Sequence, residues 1–464
     1  MTNLKDKKIR FIGIGGVGVN ALCKLAMDSG AEVSGSDAKL NNLCARLMER
    51  GVKIYEGEDA SQVKGADMVV YSSAIKQDNA ELVYAREHNI KALERQQFLR
   101  EVSKDYSQIV GIAGTHGKTT TTAMLTHILA LCGKNFVSMI GGESVDYGNY
   151  VNNSSGEMGD VFITEACEYK HNFLSLKPTV AVVTNVECDH PDSYENYDSV
   201  REAFDEYLLG AEVKIFAIDR ATTNVPVCGV NTGVPINVPV YGANSDCDFA
   251  VLVSRGESTR TYVAKLEDGI CRLFYDGKYL LGIQLDEACD YNYKNAVFAI
   301  VTAEVLGVNP ICAARALKTF GGVKRRFERA SDIDGKPVYF DFAHHPTEIR
   351  CVLERARGYG KVLKVFQPHT YTRTKAYFDD FVDVLGYDDG ALVLMPTYAA
   401  REKFDASCEH DVLAAAIKDR YGKLDIYVAA NSNEALEYVR KYAHKHDVVL
   451  FIGAGDIYNI KDEI

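Results

Sequence analysis

A short apolar run, a glycine-rich turn and a helix start occur in that order twice in this chain, and this unit constrains the fold more than any other feature. The first copy is Lys8-Ile-Arg-Phe-Ile-Gly-Ile-Gly-Gly-Val-Gly-Val-Asn20. The second is Gln108-Ile-Val-Gly-Ile-Ala-Gly114, followed from Gly117 by a helix with Met124, Leu125, Ile128 and Leu129 on its apolar face and Gly133 at its end. Such a unit belongs to a parallel sheet with crossover helices. Further strands are expected at Glu32–Ser36, Met68–Tyr71, Val161–Thr164 and Val180–Thr184, and a third block at 338–342, 362–366, 391–395 and 448–452. Between about 212 and 285 the pattern changes. β-Branched and aromatic residues flank the turns Asp268-Gly269 and Asp276-Gly277, which predicts antiparallel strands before a helix at Tyr291–Leu306. At 464 residues the chain exceeds what one hydrophobic core supports.

Charge and cysteine usage narrow the function classes. A net charge of −12 argues against non-specific nucleic-acid binding, which needs clustered Lys and Arg. Anionic nucleotides must then be held by glycine loops, helix N-termini, a few basic side chains and divalent metal. The 12 cysteines are scattered from Cys23 to Cys408 without a CxxC pair, a pattern of small buried hydrophobes in a reducing compartment. No signal peptide is read at the start, and no apolar stretch approaches the roughly 20 residues that cross a bilayer. These features predict a cytoplasmic protein with no membrane segment, no nucleic-acid partner and no obligatory protein partner.

Gly13, Gly15, Gly16 and Gly18 place backbone N–H groups at a helix N-terminus, which favours a diphosphate. Asp37 ends the next strand, where an acid can hold a ribose hydroxyl. This fingerprint does not separate NAD from UDP. Ser72 and Ser73, after the third strand, join the candidate set. In the second loop, Gly114-Thr115-His116-Gly117-Lys118-Thr119-Thr120, a strict Walker A motif fails at Ile112. The physics survives: the two glycines let the backbone curl around phosphates, Lys118 reaches the β/γ-phosphates and Thr119 can bind Mg²⁺. Glu165-Ala-Cys-Glu168 and Thr184-Asn-Val-Glu-Cys-Asp-His190 follow strands, where open α/β sheets build sites. Their carboxylates and imidazole suit Mg²⁺, and they suit surface loops equally.

Gly-Thr-His-Gly-Lys-Thr-Thr resembles the nucleotide loop of the Mur ligase family, and segments similar to that family run from Gly13 to Gly455. The resemblance is nearest to the branch that joins L-alanine to UDP-N-acetylmuramate. It implies an α/β chain of three domains. These are a Rossmann-like UDP-sugar domain over 1–107, a central P-loop ATPase-type α/β domain with an antiparallel β subsection over 108–328, and a Rossmann-like C-terminal domain over 329–464. It implies ATP and Mg²⁺, with Mn²⁺ as a substitute, an acyl-phosphate intermediate and a place in peptidoglycan precursor synthesis. It tips the first glycine loop from NAD to UDP. It assigns the metal to Thr119, Glu165 and His190, with Glu168 and Asp189 as lesser candidates, and gives no role to Asn185. Asn292 and Asn295 resemble asparagines near the adenine, and Arg326 and Asp341 resemble residues that approach ATP. His344 and His345, with His369 and Arg373, would face the amino acid and the reacting carboxylate.

Two departures bear on the branch. Tyr194 to Tyr207 contains no lysine, unlike the family members that use a carbamylated one, which agrees with the alanine-adding branch. Thr370 stands where many members of that branch carry arginine, so the choice among alanine, glycine and serine stays open. The alternatives are a sister ligase that attaches a preformed peptide to the same sugar nucleotide, and an NAD-dependent oxidoreductase.

Overall fold

The computed structural model describes residues 4–154, 160–189, 193–218, 249–285, 290–387, 390–422 and 424–464. The first sheet holds β1 (Lys8–Ile12), β2 (Glu32–Asp37), β3 (Lys53–Glu56), β4 (Met68–Tyr71) and β5 (Lys91–Glu94). All are parallel, in the order β3-β2-β1-β4-β5. The order reverses between β1 and β4, where open α/β sheets leave a crevice beyond their carboxyl ends. Gly13 follows β1 and Ser72 follows β4, so both border that crevice.

The second sheet has ten strands: β6 (Gln108–Ala113), β7 (Phe136–Ser144), β8 (Gly148–Asn153), β9 (Val161–Glu165), β10 (Val180–Val183), β11 (Val213–Ile218), β12 (Phe249–Arg255), β13 (Ser258–Glu267), β14 (Ile270–Tyr275) and β15 (Lys278–Ile283). Their order is β15-β14-β13-β12-β11-β10-β6-β9-β7-β8. The stretch from β11 to β10, β6, β9 and β7 is parallel; β12 to β15 continue it as an antiparallel meander. The third sheet holds β16 (Glu328–Arg329), β17 (Val338–Asp341), β18 (Val362–Phe366), β19 (Ala391–Leu394), β20 (Asp425–Val428) and β21 (Val448–Ile452), ordered β16-β17-β21-β18-β19-β20 and parallel except for β16.

Strands buried on both faces read as continuous apolar runs. Val180–Val183 and Val448–Ile452 are fully buried in that way, which is why both were legible. Each such Val, Leu, Ile or Phe contributes about 1.5–3 kcal/mol. The sequence reading assigned no strand to β3, β5, β7, β8, β16 or β20. Most of these are short or carry exposed polar residues; β7 loses its apolar pattern at Gly141-Gly142, and β8 is a polar edge.

Contacts divide the described chain into two units, Met1–Glu187 with Asp198–Gly321, and Cys188–Tyr197 with Gly322–Ile464. The first two sheets lie in the first unit and the third sheet in the second. Within the first unit the helix after the glycine loop, Val17–Asp28, is tied to the β7–β8 hairpin. Asn149 Nδ2 donates to the Val17 carbonyl at 3.0 Å and to Asn20 at 3.2 Å, and Lys24 Nζ donates to Asn149 at 2.6 Å. Tyr150 and Asn152 both donate to Asp28 at 3.0 Å. No described helix is long and apolar enough to cross a membrane.

Candidate active site

Strand order builds the phosphate loop. β6 lies between β9 and β10, with Ile112 paired to Glu165 and Ala113 paired to Val183. The residues ending those two neighbours therefore stand on either side of the loop that leaves β6. From the β10 side, Asn185 closes a clamp: its Oδ1 accepts from the His116 amide at 2.8 Å and its Nδ2 donates to the His116 carbonyl at 2.9 Å. The Thr115 amide donates to the Asn185 carbonyl at 3.1 Å, and Thr184 Oγ1 donates to the His116 carbonyl at 2.6 Å. Thr115 Oγ1 accepts from the Glu187 amide at 2.8 Å, and the His116 ring lies 3.5 Å from the Glu187 carboxylate. Gly114 has φ +135°, and a Cβ there would stand 2.1 Å from Thr184 Oγ1, so both conformation and space demand glycine.

From the β9 side come two carboxylates. Thr119 Oγ1 donates to Glu165 at 3.1 Å, beside Gly141, whose amide also donates to Glu165. Glu168 pairs with Lys118 at 2.9 Å, and the same ammonium donates to the carbonyls of Gly114 and Thr115. Burial pushes the Lys118 pKa down, but Glu168, with Cys167 and Glu165 beside it, more than offsets this and the ammonium is held above its ordinary value. Glu168, a lesser metal candidate in the sequence, is thus the counter-ion of Lys118. Thr120 is buried in the first turn of the helix Lys118–Leu131, which starts from the left-handed Gly117 at φ +84°. Asn295 is also buried there: Thr121 Oγ1 donates to it at 3.3 Å, and it occupies the space a Gly117 Cβ would need. Asn292 lies three residues earlier on the same helix and is half-buried. His190 lies outside the described residues.

The glycine loop after β1 is arranged differently. The Gly13 and Ile14 amides donate to the Ser36 carbonyl, and the Gly16 amide donates to that of Gly13. The Gly15 amide donates to Asp37 Oδ2 at 2.8 Å. Asp37, expected to meet a ribose, therefore already holds the loop. Asn41 joins it by donating to the Gly15 carbonyl at 3.0 Å while capping the helix Asn42–Glu49. Ser72 packs on Gly13, and Ser73 is exposed.

In the second unit, Arg373 is buried and pairs with Asp189 at 3.1 Å through Nη2, with Nε 3.3 Å from the same oxygen. Its Nη1 lies 3.2 Å from His369 Nδ1, and the His369 ring centre is 5.7 Å from that of His344. Burial lowers both imidazoles, His344 to about 4 and His369 to about 3, so both are neutral at pH 7. Asp189, also a lesser metal candidate, is here the partner of Arg373. His345 caps the helix Pro346–Arg357, its ring accepting from the Thr347 amide at 3.3 Å. Arg326 lies over the Phe342 ring and 4.0 Å from Glu348. Asp341 is committed to the backbone, accepting from the Phe327 amide at 2.7 Å and the Ala343 amide at 2.8 Å. Burial raises its carboxyl to about 6. Thr370 adopts φ +67°, an unusual conformation for a β-branched residue, as the cap of the helix Tyr371–Ala376.

The comparisons with known proteins fit these parts. Residues 8–107 match the model of the Mur ligase family, catalytic domain, residues 112–303 the Mur ligase middle domain, and residues 325–455 the Mur ligase, glutamate ligase domain. The UDP-N-acetylmuramate–L-alanine ligase of Clostridium perfringens is 36% identical, with 98% of each chain covered. The enzyme of the same name from Caldanaerobacter subterraneus is 35% identical over 99% of this chain and 97% of its own. The chain belongs to the Mur ligase family. Its fold is similar to that of the UDP-N-acetylmuramate–alanine ligase from Thermotoga maritima, with a TM-score of 0.71 at 23% identity over 98% of this chain and 97% of that one. A murein peptide ligase from Psychrobacter arcticus follows with a TM-score of 0.62 at 20% identity, covering 98% of each chain.

Sequence reasoning missed four features: in the first unit the clamping role of Asn185, the loop residue Asn41 and the pairing of Glu168 with Lys118, and in the second unit the pairing of Asp189 with Arg373. The signal for Asn185 was present in strand order, since any residue ending a neighbour of β6 must border the loop. The two pairings join residues 50 and 184 positions apart, and no local pattern announces them.

Proposed function

We propose that this Mur ligase joins L-alanine to the lactyl carboxylate of UDP-N-acetylmuramate, consuming ATP, as a cytoplasmic step of peptidoglycan precursor synthesis. The observation that carries the reading is the phosphate loop: Lys118, Thr119 and Glu165 held together by strand order, in a chain related over its whole length to ligases of that name. Three functional parts divide the work, with boundaries near 107 and 328. The loop at Gly13–Gly18, with Asp37, Ser72 and Ser73, takes the sugar nucleotide. The loop at Gly114–Thr120 takes ATP, with Asn292 and Asn295 on the adenine side. The C-terminal part supplies Arg326, Asp341, His344, His345, His369 and Arg373.

The donor set fits Mg²⁺. Thr119 Oγ1 and Glu165 are hard oxygen ligands 3.1 Å apart, and His190 completes the set in this reading. A divalent cation bound there supplies charge neutralisation at the transferred phosphoryl group. In the first step a lactyl carboxylate oxygen attacks the γ-phosphorus; the new O–P bond forms as the bond to the β-phosphate oxygen breaks, giving ADP. Lys118 leaves Glu168 for the phosphate oxygens and stabilises charge in transit. In the second step the neutral amine of alanine attacks the acyl carbon, inorganic phosphate leaves, and the amine loses a proton. Neutral His344 is the candidate acceptor, and Arg373 is the cation for the alanine carboxylate once Asp189 releases it. Asp341 serves by fixing the turn that presents Arg326.

Acyl-phosphate formation is tested by labelling the lactyl carboxylate with oxygen-18. One labelled oxygen must appear in the released phosphate. Label retained wholly in the product and water would reject the intermediate.

A further inference from the structure

Arg95 opens the helix Arg95–Ser103, and its side chain lies on the glycine loop. A Cβ built on Gly18 would stand 2.9 Å from Arg95 Nη1 and 3.2 Å from Cδ, so the glycine at 18 makes room for this arginine. The Gln96 amide, oriented to satisfy its neighbours, accepts from Arg95 Nη2 at 3.3 Å and from Asn172 Nδ2 at 2.8 Å. Among the described residues no carboxylate lies within ion-pair distance of Arg95, although the chain carries 64 acidic side chains against 52 Lys and Arg. That is an unfavourable place for a lone cation. It sits at the N-terminal turn of Val17–Asp28, where the helix dipole is positive.

The loop is also short of donors. The amides of Gly13, Ile14, Gly15 and Gly16 are all spent within the protein, leaving those of Val17, Gly18 and Val19 in the first turn of the helix, whose first intrahelical bond is donated by Asn20. Arg95 and Gln96 line a small cavity together with Glu165, Cys167 and Asn172, so the guanidinium stands between the glycine loop and the end of β9. An anion at the loop would be met by this guanidinium, and its arrival would remove the repulsion between cation and helix.

We propose that Arg95 binds the diphosphate of the sugar nucleotide, supplying the charged hydrogen bonds that the occupied loop amides cannot. The inference rests on the reading of Gly13–Gly18 as the sugar-nucleotide loop. Gln96 positions the guanidinium, and Asn172 of the central part holds Gln96 in turn.

The test uses the full-length protein and its Arg95→Ala and Arg95→Lys variants, each checked for an unchanged thermal transition without ligand. Calorimetry gives the affinities for UDP and UMP, and steady-state kinetics give KM for UDP-N-acetylmuramate and for ATP. Arg95→Ala is expected to weaken UDP by roughly 10- to 100-fold, as loss of a charged hydrogen-bond donor does. UMP should weaken less, KM for the sugar nucleotide should rise, and KM for ATP and kcat at saturation should hold. Arg95→Lys should recover part of the UDP affinity. Equal UDP affinity in wild type and Arg95→Ala would overturn the inference, and so would a fall in kcat with UDP affinity retained, which would move the guanidinium to the reacting carboxylate. Wild-type protein that binds neither UDP nor the sugar nucleotide would instead overturn the reading of the loop itself, and Arg95 with it.

Discussion

Two loops in this molecule leave a parallel strand and enter a helix, and they reach opposite solutions. The loop after β1 is closed on itself: Asp37 and the carbonyls of Ser36 and Gly13 take the amides of Gly13, Ile14, Gly15 and Gly16. The loop after β6 is held from outside by Asn185 and Thr184, and it keeps a lysine whose charge is balanced by Glu168. The first arrangement suits a site that binds and does not change. The second holds a cation in reserve for charge that moves during the reaction. Glycine-rich sequence between strand and helix therefore specifies where an anion goes, and the surrounding side chains decide whether chemistry happens there.

The largest expected difference between the loops comes from Lys118→Ala. Turnover should fall on the order of 10²–10³-fold or more, while calorimetric affinity for UDP-N-acetylmuramate stays near wild type. Equal loss of both would erase the division of labour between the loops.

Glycine substitutions sharpen the contrast. Gly114→Ala meets Thr184 Oγ1 and forces alanine to φ +135°, so denaturant unfolding should show a loss of about 2–4 kcal/mol. Gly16→Ala keeps φ at −71° and meets only the Gly13 carbonyl at 3.3 Å, so its cost should stay below about 1 kcal/mol. A reversed order would mean the loops are not built as described. Asn185→Ala removes both side-chain bonds to His116 and should destabilise by roughly 1–3 kcal/mol, with KM for ATP rising and affinity for the sugar nucleotide unchanged.

Acid should separate the second unit from both loops. His344 and His369 titrate near 4 and 3 in the folded protein against an ordinary 6.5, so as pH falls below about 6.5 the unfolded chain takes up protons that the folded chain refuses. Asp341, raised from 3.8 to about 6, acts in the opposite sense between those values. Two histidines against one aspartate leave a net loss of stability on acidification from pH 6 to 4, on the order of 1 kcal/mol per pH unit. Urea titrations across that range check it. Replacing both histidines with Gln should leave the opposite contribution of Asp341 and reverse the slope, and an unchanged slope would place the acid lability elsewhere.

Much of the architecture was legible because buried parallel strands are continuous apolar runs and glycine turns mark their exits. Val180–Val183 and the helix from Lys118 are examples. The edge strand Gly148–Asn153 was not, since its sequence is polar and its place depends on pairing with β7. At the site, Lys118, Thr119 and Glu165 were named from motif and resemblance, and the structure brings them together. Asp37 and Asp341 were also named, but a sequence cannot say that their oxygens are already taken by backbone amides. The roles of Glu168 and Asp189 as counter-ions follow from long-range approach, which pattern alone does not encode.

The most direct test of the central claim is phosphate release from ATP and Mg²⁺ with UDP-N-acetylmuramate, adding L-alanine, glycine, L-serine or a tripeptide separately. Release should require the sugar nucleotide and an amino acid together and be strongest with L-alanine. Release with the tripeptide alone, or none with any acceptor, would contradict that claim.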